Sequence, residues 1–491
     1  MITVGLIQLV ILVFALLRAK GLAVMLGPEG VGIIGAMDQL VITLTQISAF
    51  GIPFTAMKFM SAAHSTDQEG FRSCFAAFGR IMLGLSVVVS LLGIAVTLLA
   101  PDLLSGLAEY SNIVLVAMLS VPPTMMTILL AHTLAAAQMP RSAALYNLAF
   151  AASVAMTGLV GAKLDGIRGF YIGAAGAGGL TILVVMIWMT RRMDLSVLRP
   201  GVSIRHELTL RPNVVSTAVS ASLALATFSG TMLIVRYAVL DALGVTTTGL
   251  LQAALSLALS VGSILAAMNG LYFAPSLNRT DPDAVKFRKA TRFGSRVALL
   301  LVAGAVPGAL LPALGLSILF TSAFVPAAMT LILCLIWQCS FQLKTVYLQL
   351  LIGIERPLAA GMASVISMAV TSALVFGLVG SWGVLAAPAA LIAGEAVAIV
   401  FMVLRLVRMS AMPVPWAVSA RFLWAAAAIG GAGLLFDPQV ILPGPADFAL
   451  RLGYAVGVLL ITWMTMPAGL TLVDSVERLR PRLPGRLGGR P

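Results

Sequence analysis

The sequence predicts an all-α, polytopic membrane protein of about fourteen transmembrane helices, arranged as two pseudo-symmetric six-helix bundles plus two C-terminal helices. Three observations predict it. The 491 residues are 60% hydrophobic and only 10% charged, whereas roughly a quarter of the residues of an ordinary soluble domain are charged. Apolar stretches near 20 residues, the length that crosses about 30 Å of hydrocarbon as a helix, follow one another almost end to end. The basic residues collect in alternate loops.

The first six spans are expected near 3–26, 32–58, 73–99, 112–137, 142–162 and 170–190. Six more follow near 213–239, 248–274, 295–315, 323–352, 359–379 and 384–406, and a last pair near 421–437 and 451–470. Helices are preferred to a barrel because the runs are continuously apolar, and a helix satisfies its backbone polar groups within one segment. The first span lacks a basic n-region and is longer than a signal h-region, so it reads as a retained helix. No stretch between spans is long enough to fold as a soluble domain. The tail from Asp474 to Pro491 is rich in Arg, Pro and Gly, which suits contact with anionic lipid.

The formal net charge of +13 raises nucleic acid as a partner, and the positions of the 31 Lys and Arg residues argue against it. With a cytoplasmic N-terminus, the outer loops hold only Lys163, Arg168 and Arg451, while Arg18, Lys20, Arg236 and Lys344 lie within spans and the rest fall inside. By the positive-inside rule both termini are cytoplasmic. The cysteines Cys74, Cys334 and Cys339 lie in or beside spans and read as small apolar residues rather than a disulfide framework.

An internal repeat divides the spans. Arg18, Gly27 and Gly32 align with Arg236, Gly244 and Gly249, Arg141 with Arg356, and Gly166 and Gly169 with Gly380 and Gly383, at offsets between 214 and 218 with a one-residue gap after the arginines. Each repeat has an even number of spans, so the two enter the membrane in the same sense, related by an axis along its normal. The units are 1–192, 213–408, the pair at 421–470 and the basic tail 474–491, and a site is expected between the first two.

Ionisable groups inside spans cost roughly 2.5–3.5 kcal/mol each on the lenient insertion scale, so each calls for an explanation. Arg18, Lys20 and Arg236 lie toward helix ends, where snorkelling or an acid partner explains them, with Asp38 and Asp241 as candidates. Lys344 has no acid within two turns of its own helix and reads as functional. Helical spacing supplies polar faces: Ser222, Ser229 and Arg236 on span 7, Gln252, Ser256, Ser260 and Ser263 on span 8, and Gln338, Gln342, Thr345 and Gln349 on span 10. Ser and Thr also glue packed helices, but glutamines repeated along one face are hard to place against lipid. Fixed cations in such a cavity suit the oxygens of a phosphate or diphosphate.

Catalytic readings fail. Gly30, Gly32 and Gly35 spell a GxGxxG that joins two membrane helices rather than following a strand. His64, His132 and His206 show no metal spacing. Paired carboxylates are missing, since Asp38 and Glu395 are the main intramembrane acids; either is a possible coupling acid. The glycine run Gly173, Gly176, Gly178 and Gly179 reads as close helix packing, and Pro122 and Pro123 predict a kink in span 4.

Against this background the chain resembles the Wzx-type polysaccharide flippases of the multidrug/oligosaccharidyl-lipid/polysaccharide exporter superfamily. The stretches that carry the resemblance are LGPEGVGIIGAMDQLV from Leu26 to Val41, GIPFTAMKFMS from Gly51 to Ser61, LYFAPSLNR from Leu271 to Arg279, ILFTSAFVPAAMTLILCLIWQ from Ile318 to Gln338 and GIERPL from Gly353 to Leu358. Flippases of O-antigen or enterobacterial-common-antigen units are similar in placing a Lys before the first hairpin, here Lys20, and one in the tenth helix, here Lys344. The resemblance implies a multi-pass protein of the bacterial inner membrane, not an enzyme, that moves undecaprenyl-diphosphate-linked oligosaccharide to the periplasmic leaflet by alternating access. Arg18, Lys20, Arg236 and Lys344 then hold the diphosphate, and Gln252, Gln338, Gln342 and Gln349 line the polar cavity. It implies no bound cofactor or metal, coupling to proton, sodium or membrane potential, and contact with membrane lipids and with polysaccharide polymerase or assembly proteins. Many relatives carry an Asp just before the arginine of span 7, where this chain has Val235. A lipid II flippase is the alternative; a multidrug exporter of the same superfamily stands behind it, usually having twelve spans and acids in its cavity.

Overall fold

The computed structural model describes residues 2–64, 67–199, 214–269, 273–277, 282–409 and 416–465. The polar loop near 200–212 and the basic tail expected at 474–491 lie outside the described residues. Among those described, nine helical stretches are long and apolar enough to cross a membrane, and none forms a strand. Helix α1 (Ile2–Ala49) has 48 residues; straight, it would be about 72 Å long, more than twice the hydrocarbon thickness. It turns at Gly27, where φ is 64°.

The same device recurs. Helix α2 (Ile52–Ala63) completes span 2, and α3 (Gln68–Leu99), capped by Asp67 accepting from the Gly70 N–H at 2.8 Å, is span 3. A 3₁₀ segment (Pro101–Tyr110) leads into α4 (Ser111–Met118) and α5 (Val121–Ala136). Span 4 bends by 43° between α4 and α5, just before Pro122 and Pro123, whose missing N–H groups break the backbone ladder there. Helix α6 (Pro140–Met193) turns at Gly166 (φ 56°) and α7 (Val214–Met268) at Gly244 (φ 80°). After the short α8 (Ala274–Leu277) come α9 (Asp283–Leu310), α10 (Pro312–Leu319), a 3₁₀ turn (Ser322–Ala327) and α11 (Ala328–Gly353). Helices α12 (Pro357–Trp382) and α13 (Ala386–Met409) meet at Gly383 (φ 59°), and α14 (Trp416–Leu435) and α15 (Pro445–Met464) end the described chain.

At each of the four turning glycines a side chain would be strained, because φ is positive. The arms then run antiparallel. Thr157 donates to the Gly173 carbonyl at 3.0 Å and Thr371 to that of Ala390 at 3.3 Å, which closes the 5–6 and 11–12 hairpins. Splitting the four long stretches at their glycines and adding the bent fourth span gives the fourteen crossings that the sequence predicts.

The backbone also refines the repeat. Gly27 and Gly244, Gln138 and Glu355 (φ 57° and 63°), and Gly166 and Gly383 are paired at a constant offset of 217. Met139 and Arg356 share the N-cap geometry of the helices that start at Pro140 and Pro357. Arg356 therefore matches Met139 rather than Arg141, and Gly383 matches Gly166 rather than Gly169. No gap intervenes between the arginines and the turning glycines either: Arg236 matches Ala19. One residue is about 100° of helix rotation, so Arg18 and Arg236 look in different directions.

The halves meet at the tips of the first hairpins. A Cβ on Gly249 would lie 1.8 Å from the Pro28 carbonyl oxygen, and one on Gly32 would lie 2.2 Å from that of Val245. Those two contacts are images of each other under the 217-residue repeat. Glycine is needed at both because backbone touches backbone. Gly32 and Gly35, two of the three glycines of the apparent nucleotide motif, are thus packing residues, Gly35 lying against the side chain of Gln252.

The C-terminal pair packs on the second half, Val418 against Gly294 and Ile332 against Gly433. Arg451, expected in an outer loop, is instead inside α15 and 3% exposed. Its guanidinium meets Asp447 at 3.0 Å, the Asp437 carbonyl at 3.2 Å and the Leu310 carbonyl, which removes the need for water. Large apolar side chains such as Leu91, Leu92, Leu180 and Leu183 are exposed on the outside, as a lipid-facing surface requires.

Candidate functional site

Between the halves lies a cavity of about 330 Å³. Its first wall is Leu12, Ala15, Leu16 and Arg18 of α1; its second is Gln252, Ser256, Ser260 and Ser263, the polar stripe expected on span 8. The hydroxyls of Ser256 and Ser260 donate to carbonyls one turn back, at 2.7 Å each, so the stripe presents chiefly oxygen lone pairs and the Gln252 amide to the cavity.

Arg18 is the cation on this cavity. Its guanidinium pairs with Asp38 across the first hairpin and lies 4.8 Å from the centre of the Phe170 ring. Tyr171 donates within reach of both Asp38 Oδ1 (2.9 Å) and the Ile34 carbonyl (3.2 Å), which fixes the carboxylate from the far side. Arg18 Nε, buried, has no partner. Both members of the pair also line a second cavity of about 180 Å³ inside the first half, bounded by Ser120, Thr124, Phe150 and Phe170. The pair is therefore a partition, its side chains 29% and 30% exposed.

Arg236 does something different. Its Nη1 donates to Gln39 Oε1 at 3.0 Å and to the Met232 carbonyl at 3.1 Å, and its Nε donates to Gln252 Oε1 at 2.8 Å. Gln39 Nε2 and the Thr43 hydroxyl both donate to the Ser229 carbonyl, at 3.1 and 3.0 Å, and the Ser229 hydroxyl donates to Gln46. Spans 2 and 7 are thereby zipped together. The Ser229–Arg236 face was legible in the sequence; its partners Gln39, Thr43 and Gln46 were missed, though their i, i+4, i+7 spacing is the same signal. The partner of Arg236 is an amide pair rather than the Asp241 considered from sequence.

Lys20 also bridges the halves, donating to the carbonyls of Ser317 (3.2 Å) and Phe320 at the end of α10. Lys344 gains a partner from another helix. It has an acid after all, 51 residues away on α13: its Nζ is 2.7 Å from Glu395 Oε1 and 2.6 Å from Oε2, and Ser367 donates to Oε2 at 3.2 Å. The pair is enclosed within the second half, 8% and 5% exposed, away from the large cavity. Sequence neighbours could not show this, because the contact is made by two spans.

Of the glutamines, only Gln252 reaches the large cavity. Gln338 and Gln342 are buried in helix packing, 3.4 Å from each other, with Gln338 against Gly262; Gln349 is half-buried. The structure thus brings Arg18, Asp38 and Gln252 together, places Arg236 and Lys20 in the seam, and separates Lys344 and Glu395 from both. Among the described residues no group of His, Cys, Asp and Glu is placed to hold a metal ion.

No family model matches the chain, and no curated protein matches it in sequence. Solved structures do match in fold. A lipid II flippase, MurJ, in an inward closed conformation superposes with a TM-score of 0.68 at 12% identity, covering 94% of this chain and 98% of that one. A multidrug resistance MATE family transporter of the MOP superfamily matches in an inward-facing conformation (TM-score 0.61, 15% identity, 87% and 99% covered) and an outward-facing one (0.55, 14%, 88% and 96%). This chain has the fold of that superfamily and is a multi-pass membrane protein.

Proposed function

We propose that the chain is a flippase of the same superfamily, moving an undecaprenyl-diphosphate-linked oligosaccharide from the cytoplasmic to the outer leaflet for surface polysaccharide assembly. The observation that carries this reading is Arg18: a guanidinium on the wall of a cavity between the two halves, paired with Asp38 in an ion pair that is about 30% exposed. A guanidinium is the natural partner of diphosphate oxygens. The Gln252–Ser263 stripe offers amide and hydroxyl oxygens to sugar hydroxyls, and the lipid tail stays in the bilayer.

In this reading the contact face at Gly32 and Gly249 is the outer one, as the placement of basic residues expects, and the structure is closed outward. Transfer follows when the halves rock about the site. Arg18 makes the first headgroup contact, exchanging Asp38 for phosphate oxygens. Arg236 and Lys20 act on the seam between the halves, and no enzymatic step is involved.

A lipid II flippase is the second reading, favoured by the superposition with MurJ over nearly the whole of both chains. The headgroup chemistry is shared and the sugar differs. Depleting the protein and identifying the undecaprenyl-linked species that builds up on the cytoplasmic side separates them: an oligosaccharide repeat supports the first, lipid II the second. Normal levels of both would refute a flippase.

A further inference from the structure

The Lys344–Glu395 pair has surroundings that the transport reading does not use. It sits in a small cavity of about 20 Å³ lined by Thr227, Thr231, Ser364 and Ser367 together with Phe228 and Met232, which is room for about one water molecule. Each of these hydroxyls has already spent its proton. Thr227 donates to the Leu223 carbonyl at 2.7 Å, Thr231 to that of Thr227 at 2.7 Å, Ser364 to that of Ala360 at 3.3 Å, and Ser367 to Glu395. What these polar groups present to the cavity is lone pairs and a carboxylate, oxygens drawn from spans 7, 11 and 12 beside the apolar Phe228 and Met232. Hard monovalent and divalent cations are held by oxygens of this kind, and here the ammonium of Lys344 on span 10 lines the same cavity, bonded to Glu395.

We propose that Lys344 is a built-in cation: its ammonium occupies a site whose ligands would otherwise take a free monovalent cation, so the second half binds none, and deleting the side chain converts the cage into a site for one. The Phe341 ring, 5.1 Å from Nζ, completes the environment on the lysine's own helix, adding the attraction of its π-face. The inference concerns ion occupancy alone and does not rest on the flippase reading.

The test uses the full-length protein in lipid nanodiscs, with thermal unfolding followed in sodium, methylammonium or choline chloride at equal ionic strength. The wild type should unfold at the same temperature in all three. Lys344→Ala should be stabilised by sodium or methylammonium over choline, its folding equilibrium shifting about 100-fold when the cation is at 100 times its dissociation constant. Lys344→Met, which fills the space with an apolar chain, should show no such preference, and adding Glu395→Gln to Lys344→Ala should abolish it. Should Lys344→Ala be recoverable as folded protein only with sodium or methylammonium present, that too supports the proposal. A sodium-specific shift in the wild type, an unresponsive Lys344→Ala, or a Lys344→Ala that folds in none of the three salts would overturn it.

Discussion

Gly249→Ala tests the reciprocal contact between the hairpin tips. The added Cβ would sit 1.8 Å from the Pro28 carbonyl oxygen, 2.7 Å from its carbon and 3.2 Å from the Gly32 nitrogen. Carbon and carbonyl oxygen approach no closer than about 3.3 Å, so the tips must part by roughly 1.5 Å. All three atoms are backbone, and none can swing away as a side chain does. Overpacking of this kind costs about 1–3 kcal/mol, here charged only to the state in which the tips touch. The population ratio of tip-closed to tip-open molecules should therefore fall by about 5- to 150-fold. Spin labels on Glu29→Cys and Thr246→Cys, exposed positions related by the repeat, report the distance across the tips. The variant should move the distribution to longer distances, and Gly32→Ala should do the same because its contact is the mirror of the first. An unchanged distribution in both variants would refute the pseudo-symmetric gate.

Arg18→Gln should abolish transfer of the lipid-linked glycan with normal protein abundance, whereas Arg18→Lys, which keeps the charge and loses the fork, should retain a fraction; accumulation of the substrate is the measurement. Gln39→Leu removes an acceptor of Arg236 and a donor to Ser229, and should loosen the span 2–span 7 zipper by about 2 kcal/mol, seen as faster hydrogen exchange at the tips. Arg451→Ala frees the carbonyls of Leu310 and Asp437 and should lower the unfolding temperature without altering transfer by the folded fraction. For topology, an impermeant thiol reagent should label Glu109→Cys from outside intact cells and leave Asp283→Cys unlabelled.

The number and order of the spans were legible because both rest on apolar length, a property local to each segment. The turning points were legible as glycines, but their pairing was not: Gly166 and Gly169 are equally glycine, and only φ, a consequence of where the chain reverses, selects Gly166 as the match of Gly383. The Arg18–Asp38 pair could be anticipated because a hairpin brings residues 20 apart together. Lys344 and Glu395 belong to different hairpins, so no periodicity within one helix links them. Gln338 and Gln342 were misplaced for the same reason. Their shared face was right, but the neighbour on that face is another helix rather than a cavity.

The repeat makes the unequal use of charge informative. At an offset of 217 the counterparts of Lys344, Ser367 and Glu395 are Thr127, Phe150 and Gly178, and Phe150 lies 3.2 Å from where a Cβ of Gly178 would be. The first half thus replaces a sealed ion pair with an aromatic ring beside a cavity, and carries its own pair at Arg18 and Asp38 instead. Those two pairs differ in what they can do. Separating the sealed one strands a charge in low dielectric, a loss of about 3–5 kcal/mol, so it is suited to holding spans 10 and 12 in one arrangement. The pair at Arg18 is about 30% exposed and borders two cavities, where an incoming anion can take over the guanidinium while the Tyr171 hydroxyl keeps hold of the carboxylate. Of Arg18, Lys20, Arg236 and Lys344, Arg18 alone combines access with a partner it can afford to exchange, which is why headgroup binding is assigned there rather than shared equally among them.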